Sequence, residues 1–274
     1  MACMPKNEHK AIVLRTEQLT PHMIRVVAGG ESLRGFATSG LTDHYVKLVF
    51  RHEGVEYPEP FSVQSCRELL PREQWPRVRT YTVRAWDPDA LELTIDFVYH
   101  GDEGVAGPWA AAAQPGDTLY MLGPGGGYAP DPDAAWHLLA GDESALPAIA
   151  AALEVLPEDA TAHVFVEIEG PAEEQKLPRP VTWLYRGDRP VGELLVEAVR
   201  GLEFPEGDVH AFVHGEAGFV KQLRRHLRIE RGIPLERLSI SGYWRLGADD
   251  EAWRAVKKEW NQTVEAEEAT ALSS

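Results

Sequence analysis

Basic charge, cysteine and long apolar runs are what this chain has least of. It carries 27 Lys and Arg against 43 Asp and Glu, a formal net charge of -16 at pH 7. That balance argues against wholesale nucleic-acid binding and against docking on anionic membranes. Any anionic small molecule would need a local cluster of cations. No run reaches the roughly 18 apolar residues of a membrane span. The stretch Met1-Ala2-Cys3-Met4-Pro5-Lys6-Asn7-Glu8-His9-Lys10 has no apolar core of a secretory signal, so a cytoplasmic protein is expected. There are two cysteines, Cys3 in what reads as a frayed tail and Cys66. Such a chain needs no disulfide. Two thiols also cannot supply the four thiolates of a plant-type iron–sulfur cluster, so electron transfer here would need another cofactor. Internal repeats and low-complexity blocks are missing as well.

What is present divides into two halves. A chain of 274 residues has room for two domains with their own cores. Short apolar or alternating runs at 11–19, 23–27, 45–50, 78–86, 91–99 and 118–122 predict six strands, which suit a small antiparallel barrel. A short helix is expected over 109–114. The Gly/Pro-rich segment 123–133 reads as a joint, continuing neither strand nor helix. Beyond it, strands at 136–140, 162–168, 181–185, 209–214 and 238–242 alternate with helices at 144–156, 191–202 and 216–230. Asp249 caps a last helix, 250–260. This alternation predicts a parallel sheet covered on both faces. The expected domains are 7–129 and 130–262, followed by a disordered tail over 263–274 that is rich in Glu, Ala, Thr and Ser.

One hexapeptide stands out, Arg79-Thr80-Tyr81-Thr82-Val83-Arg84. Its β-branched and aromatic content predicts a strand. It is expected to present an Arg, a Tyr and a Thr together on one face. A flavin dinucleotide needs such a set: a guanidinium for the pyrophosphate, a phenol ring against the isoalloxazine and a small hydroxyl near the reactive nitrogen. A surface strand could carry the same residues. Asp96-Phe97-Val98-Tyr99-His100-Gly101 ends the strand expected to pair with it. Gly104-Val105-Ala106-Gly107-Pro108-Trp109 then offers backbone N–H groups at a short helix start. In the second half, Leu139-Ala140-Gly141-Asp142-Glu143-Ser144-Ala145-Leu146-Pro147 is strand, glycine and helix start. It is a possible anion site, although its acidic pair suits an ordinary βα turn equally well.

Together these motifs resemble the siderophore-interacting proteins, FAD-dependent ferric-siderophore reductases of the ferredoxin–NADP reductase superfamily. Thr182-Trp183-Leu184-Tyr185-Arg186, His214-Gly215-Glu216-Ala217 and Ser241-Gly242-Tyr243-Trp244-Arg245-Leu246-Gly247 extend the resemblance from about Arg15 to Trp260. It implies a six-stranded FAD-binding barrel followed by an α/β nucleotide-binding domain. It also implies that Arg79, Tyr81, Thr82, Val83, Asp96, Phe97, Val98, His100, Ala106, Gly107 and Trp244 hold FAD. Gly141, Asp142, Glu143, Ser144, Pro147, Arg186 and Glu216 would take NADPH or NADH. Arg186, which follows a strand end, favours NADPH. Lys47, Arg245, Lys257 and Lys258 would dock the ferric siderophore, with Trp253, Val256 and Trp260 sharing the apolar face of the last helix. The family's usual Gly-Pro-Ala-Ser turn is altered here, with Val105 for Pro and Gly107 for Ser. The resemblance leaves ferredoxin open as a donor. It also leaves open a protein, quinone or free flavin as acceptor, and a non-catalytic siderophore-binding module.

Overall fold

The computed structural model describes residues 8–36 and 38–273. Cys3 and Asn7, where the sequence places the start of the first domain, lie outside the described residues. The chain divides into two compact units, Met1–Gly127 and Tyr128–Ser274.

Among the described residues, the first unit is an antiparallel sheet of seven strands. They are β1 (Glu8–Thr20), β2 (Met23–Gly29), β3 (Tyr45–Phe50), β4 (Arg77–Thr82), β5 (Ala85–Asp87), β6 (Glu92–Val98) and β7 (Thr118–Gly125). Their order is β4-β3-β7-β1-β2-β6-β5. The outermost strands, β4 and β5, are consecutive in the chain, so the sheet curls on itself into a barrel-like layer. Alternate residues point inward, and Val46, Leu48, Val13, Ile95 and Phe97 fill the interior.

The seventh strand corrects the expected count of six. The run 78–86 is not one strand, because the chain changes partners in its middle. Val83 N–H still donates to His44 O, 2.6 Å away beside β3, whereas Arg84 N–H donates to Thr94 O of β6 at 2.9 Å. Strand β7 also runs on to Gly125, into the segment read as a joint. Pro124 is tolerated there because the β3–β7 register is irregular between Tyr45 and Lys47, where no ladder N–H is required. Helix α1 (Val63–Leu69), unforeseen in the sequence, is capped by Ser62, whose Oγ accepts from Ser65 N–H. Helix α2 (Ala106–Ala112) begins three residues earlier than expected.

The second unit is a five-stranded parallel sheet in the order β10-β9-β8-β11-β12. Its strands are β8 (Trp136–Gly141), β9 (Ala162–Ile168), β10 (Thr182–Tyr185), β11 (Val209–Glu216) and β12 (Leu238–Trp244). Helix α3 (Leu146–Val155) covers one face with Leu139 and Phe212. Helices α4 (Glu193–Gly201) and α5 (Ala217–Arg225) cover the other with Leu138, Ala211 and Val213. The strand order reverses between β8 and β11, which is where open α/β sheets bind ligands.

The helix expected over 216–230 is α5 followed by a π-helical turn, His226–Glu230. The tail expected to be disordered is helical, since α6 runs unbroken from Asp250 to Leu272. Two contacts explain its extension. Arg224 of α5 donates to both carboxylate oxygens of buried Glu268, at 2.5 and 2.9 Å, and Val264 is buried. A composition that looks solvating in isolation has found a partner surface.

Candidate functional site

In the first unit, β4 pairs Arg79 with Leu48 and Tyr81 with Val46 of β3. Arg79 and Tyr81 are two residues apart, share a face and are both half-buried. The Tyr81 ring lies 4.5 Å from that of Phe97 at a 34° tilt, and Trp109 stands 5.7 Å beyond Phe97. A planar ring system could extend this aromatic surface. Thr82 does not join that face; strand alternation sets it on the opposite side of β4, in register with Tyr45 of β3, where it is buried. Val83 is a core side chain.

Asp96 is buried and already engaged. Arg25 donates to both of its oxygens, at 2.7 and 2.8 Å, and Arg84 Nε lies 4.0 Å away. Its evident role is to hold β2, β6 and the β4–β5 corner together. Val98 is half-buried at the end of β6 and His100 is exposed, its ring 6.0 Å from that of His22.

Ala106 and Gly107 open α2, which has no side-chain cap, so their N–H groups are the unsatisfied donors of a helix start. Gly107 explains its own departure from the family turn. A Cβ there would meet Val98 O at 3.1 Å and Tyr99 Cα at 3.4 Å. The α2 start is packed so closely on the end of β6 that a serine would be crowded. A guanidinium, a half-open phenol ring and uncapped backbone donors form a donor set that fits a flavin dinucleotide. Lys47 stands on the exposed side of β3, between Thr80 and Leu122 in register, with no ion pair among the described residues.

In the second unit, the turn after β8 is built on glycine. A Cβ on Gly141 would lie 2.5 Å from Ala145 Cβ and 2.6 Å from His214 O. Asp142 does not face outward as a ligand residue would. Its carboxylate is fully buried and accepts four hydrogen bonds: Oδ1 from Ser144 N and Oγ at 3.0 and 2.5 Å, and Oδ2 from Glu216 N and Trp244 Nε1, both at 2.8 Å. Burial, and then the Glu143 charge, push its pKa up to about 6 against those bonds. The side chain ties the carboxyl ends of β8, β11 and β12 together.

Glu216 is a cap. Its carboxylate accepts from Gly218 N and Phe219 N at the start of α5, at 2.6 and 3.2 Å, and from Leu246 N at 3.2 Å. The half-buried Trp244 has its indole N–H committed to Asp142 within this unit. Pro147 sits buried in the first turn of α3. Arg186, after β10, reaches across to Glu143 at 3.1 Å.

The α6 cations separate. Trp253 is buried and packs edge-on against Trp260 at 5.5 Å, but Val256 is 43% exposed. Lys257, one residue on, takes its place on the inner face. It is half-buried, without an ion pair among the described residues, and burial lowers its pKa. Lys258 and Arg245 are exposed, the Arg245 guanidinium 6.0 Å from the Trp253 ring.

His214, which sequence reasoning treated only as part of a motif, faces this region. Its ring stacks 4.0 Å from Phe212, its Nε2 is 2.9 Å from Ser239 Oγ, and Nδ1 has no partner among the described residues. Burial and then the Lys257 charge push its pKa down to about 3. The ring is therefore neutral when folded. An unfolded histidine takes a proton near pH 6.5, so the stability supplied by the neutral ring is full above that value and is lost as pH falls. Between pH 6.5 and 5 the loss is about 1.6 kcal/mol for a folded pKa of about 3. Asp142, with its pKa raised, has the opposite sign between roughly pH 4 and 6. His214→Phe isolates the histidine: its urea midpoint is expected to fall less than the wild type's between pH 7.5 and 5. Parallel declines would contradict the assignment.

Comparison with known proteins places these features in a family. Residues 12–128 match the profile of the siderophore-interacting FAD-binding domain, and residues 134–247 match that of siderophore-interacting proteins. An uncharacterized protein of Mycobacterium tuberculosis is 48% identical, covering 96% of this chain and 98% of its own. The ferric vibriobactin reductase ViuB of Vibrio cholerae is 34% identical over 88% of this chain and 90% of its own. An NADPH-dependent ferric-chelate reductase of Escherichia coli is 33% identical over 85% and 91%. The crystal structure of the siderophore-interacting protein SipS from Aeromonas hydrophila superposes with a TM-score of 0.78 at 31% identity, covering 94% of this chain and all of that one.

Proposed function

The chain belongs to the siderophore-interacting protein family, and we propose that it is a ferric-siderophore reductase using FAD and a nicotinamide dinucleotide, NADPH or NADH. The observation that carries this reading is the pair of family domains, FAD-binding and siderophore-interacting, in one chain. The ferric reductases among its relatives support it. FAD held by these residues would supply the coupling of a two-electron hydride donor to a one-electron acceptor, so that one dinucleotide would match two ferric complexes.

The chain's own residues bind and orient. Arg79 would clamp the pyrophosphate as a charge-assisted donor, with Ala106 and Gly107 N–H groups beside it. Tyr81 would cover one ring face and hold water from it. Asp96 would act at one remove, by fixing Arg25 and the β4–β5 corner. The turn at Gly141–Pro147 would receive the dinucleotide, with Asp142 and Glu216 fixing its frame rather than touching it. No general base is required.

The cations that the family resemblance offers to the oxygen-rich iron complex are Lys47 in the first unit and Arg245 and Lys257 in the second. Lys257 is the strongest of these because it is desolvated and unpaired among the described residues. Reduction frees the iron because Fe(II), less charged and softer, is held less tightly by hard oxygen ligands. Such an enzyme would work in the cytoplasm; no helix among the described residues is long and apolar enough to cross a membrane.

The discriminating test is Lys47→Ala with Arg245→Ala. Turnover of a ferric catecholate or hydroxamate complex is expected to fall about tenfold or more, the effect of about 1.4 kcal/mol. Reduction of a small quinone should stay within about twofold. Equal losses on both acceptors would remove the docking role and leave a reductase of another acceptor.

A further inference from the structure

At the carboxyl edge of the parallel sheet, one guanidinium is held among carboxylates. Arg186 follows β10, and its two Nη atoms donate to the two oxygens of Glu143, at 3.1 and 3.4 Å. Its Nη1 also lies 3.7 Å from Glu167 Oε1. Glu169 contributes a third negative charge within electrostatic reach. Glu167 is fully buried on β9; its Oε1 accepts from Gly192 N–H at 2.7 Å, and its Oε2 has no hydrogen-bond partner among the described residues.

A guanidinium at this edge, taken alone, suits a ribose 2′-phosphate, which it can grip with two parallel bonds. Here that fork is already taken. A 2′-phosphate would have to displace Glu143 and then sit beside at least two carboxylates, with one cation to offset them. It would bring a further charge of about -1.5 to -2. A ribose 2′-hydroxyl brings no charge and donates to a carboxylate, the usual means by which an acidic residue recognises the unphosphorylated dinucleotide. Arg186 is then the residue that positions Glu143.

Resting on the reading of a nicotinamide donor at this edge, we propose that the Glu143–Arg186–Glu167 cluster selects the dinucleotide without a 2′-phosphate, NADH over NADPH, and that Glu143 is the discriminating side chain. Arg186 considered by itself points to NADPH; its carboxylate partners reverse that preference.

Titration calorimetry on the flavin-loaded protein with adenosine 5′-monophosphate and adenosine 2′,5′-bisphosphate tests this apart from turnover. The wild type is expected to bind the monophosphate at least tenfold more tightly. Glu143→Gln should shift the ratio of the two affinities at least tenfold toward the bisphosphate, and Glu167→Gln, which keeps an acceptor for Gly192, should shift it less in the same direction. Stopped-flow flavin reduction should show the same reversal between NADH and NADPH. A wild type that prefers the bisphosphate, or a Glu143→Gln ratio equal to the wild type's, overturns the selectivity and leaves the donor site standing. If neither nucleotide binds, the donor site itself is wrong and the selectivity falls with it.

Discussion

Replacing Arg79 by alanine is expected to weaken FAD binding at least about thirtyfold, so that the protein purifies largely colourless. Losing a charge-assisted contact to a phosphate costs about 2–5 kcal/mol when the partner charge is desolvated, and thirtyfold corresponds to about 2 kcal/mol. Folding should survive the change, because Arg79 is half-buried and its Nη1–H donates to the neighbouring Val78 O at 3.0 Å, a contact local to its own strand. Arg79→Lys should recover part of the affinity, since an ammonium keeps the charge but loses the planar fork. Flavin fluorescence on titrating FAD into the apoprotein gives the affinities, and circular dichroism checks the fold. Affinity within threefold of wild type in Arg79→Ala would remove this residue from the flavin site.

Asp142→Ala should be the most destabilising single change in the second unit. It would leave the Trp244 indole N–H, the Glu216 backbone N–H and the Ser144 donors without their acceptor in a fully buried place. Each orphaned buried donor costs about 1–3 kcal/mol, and the loss of a networked buried carboxylate is about 3–5 kcal/mol in total. Asp142→Asn is expected to fall between. Its remaining oxygen serves one pair of donors while its amide group faces the other. Of these partners only Ser144 Oγ, 2.5 Å from Oδ1, can accept a hydrogen bond from Asp142 when the carboxyl is protonated. Urea unfolding at pH 7.5 measures the cost. A change below about 1 kcal/mol in Asp142→Ala would mean that the network does not bind the three strand ends together.

The two variants also separate two kinds of residue that look alike in a motif. Asp142 and Arg79 both belong to stretches shared with the family, yet one is sealed inside the sheet edge and the other borders solvent. That difference is invisible in sequence. Asp142 reads as a ligand residue because it follows a strand at a glycine turn, and only the arrival of Glu216 and Trp244 from distant strands turns it inward. Asp96 was hidden for the same reason, its partner Arg25 lying on another strand.

What was legible followed from local pattern. The alternation in Tyr45–Phe50 and the β-rich run Ala162–Ile168 match observed strands to the residue, because each strand keeps its neighbours over its full length. The run 78–86 failed because it changes neighbours at Val83 and Arg84, a long-range event with no local signal. The last helix shows both cases. Its Asp249 cap was readable, whereas its continuation to Leu272 depends on Arg224, which is distant in sequence. The same helix carried Lys257 inward in place of Val256, since a wheel fixes angular spacing but not which face the fold will cover.

Anaerobic stopped-flow on the flavin-loaded protein tests the central claim most directly. The flavin is first bleached with one equivalent of NADH or NADPH and then mixed with a ferric siderophore complex in the presence of a ferrous trap. The account predicts rapid bleaching, rapid reoxidation that depends on the iron complex, and two trapped Fe(II) per flavin. A reduced flavin whose reoxidation is indifferent to the iron complex, with no Fe(II) trapped, would contradict it.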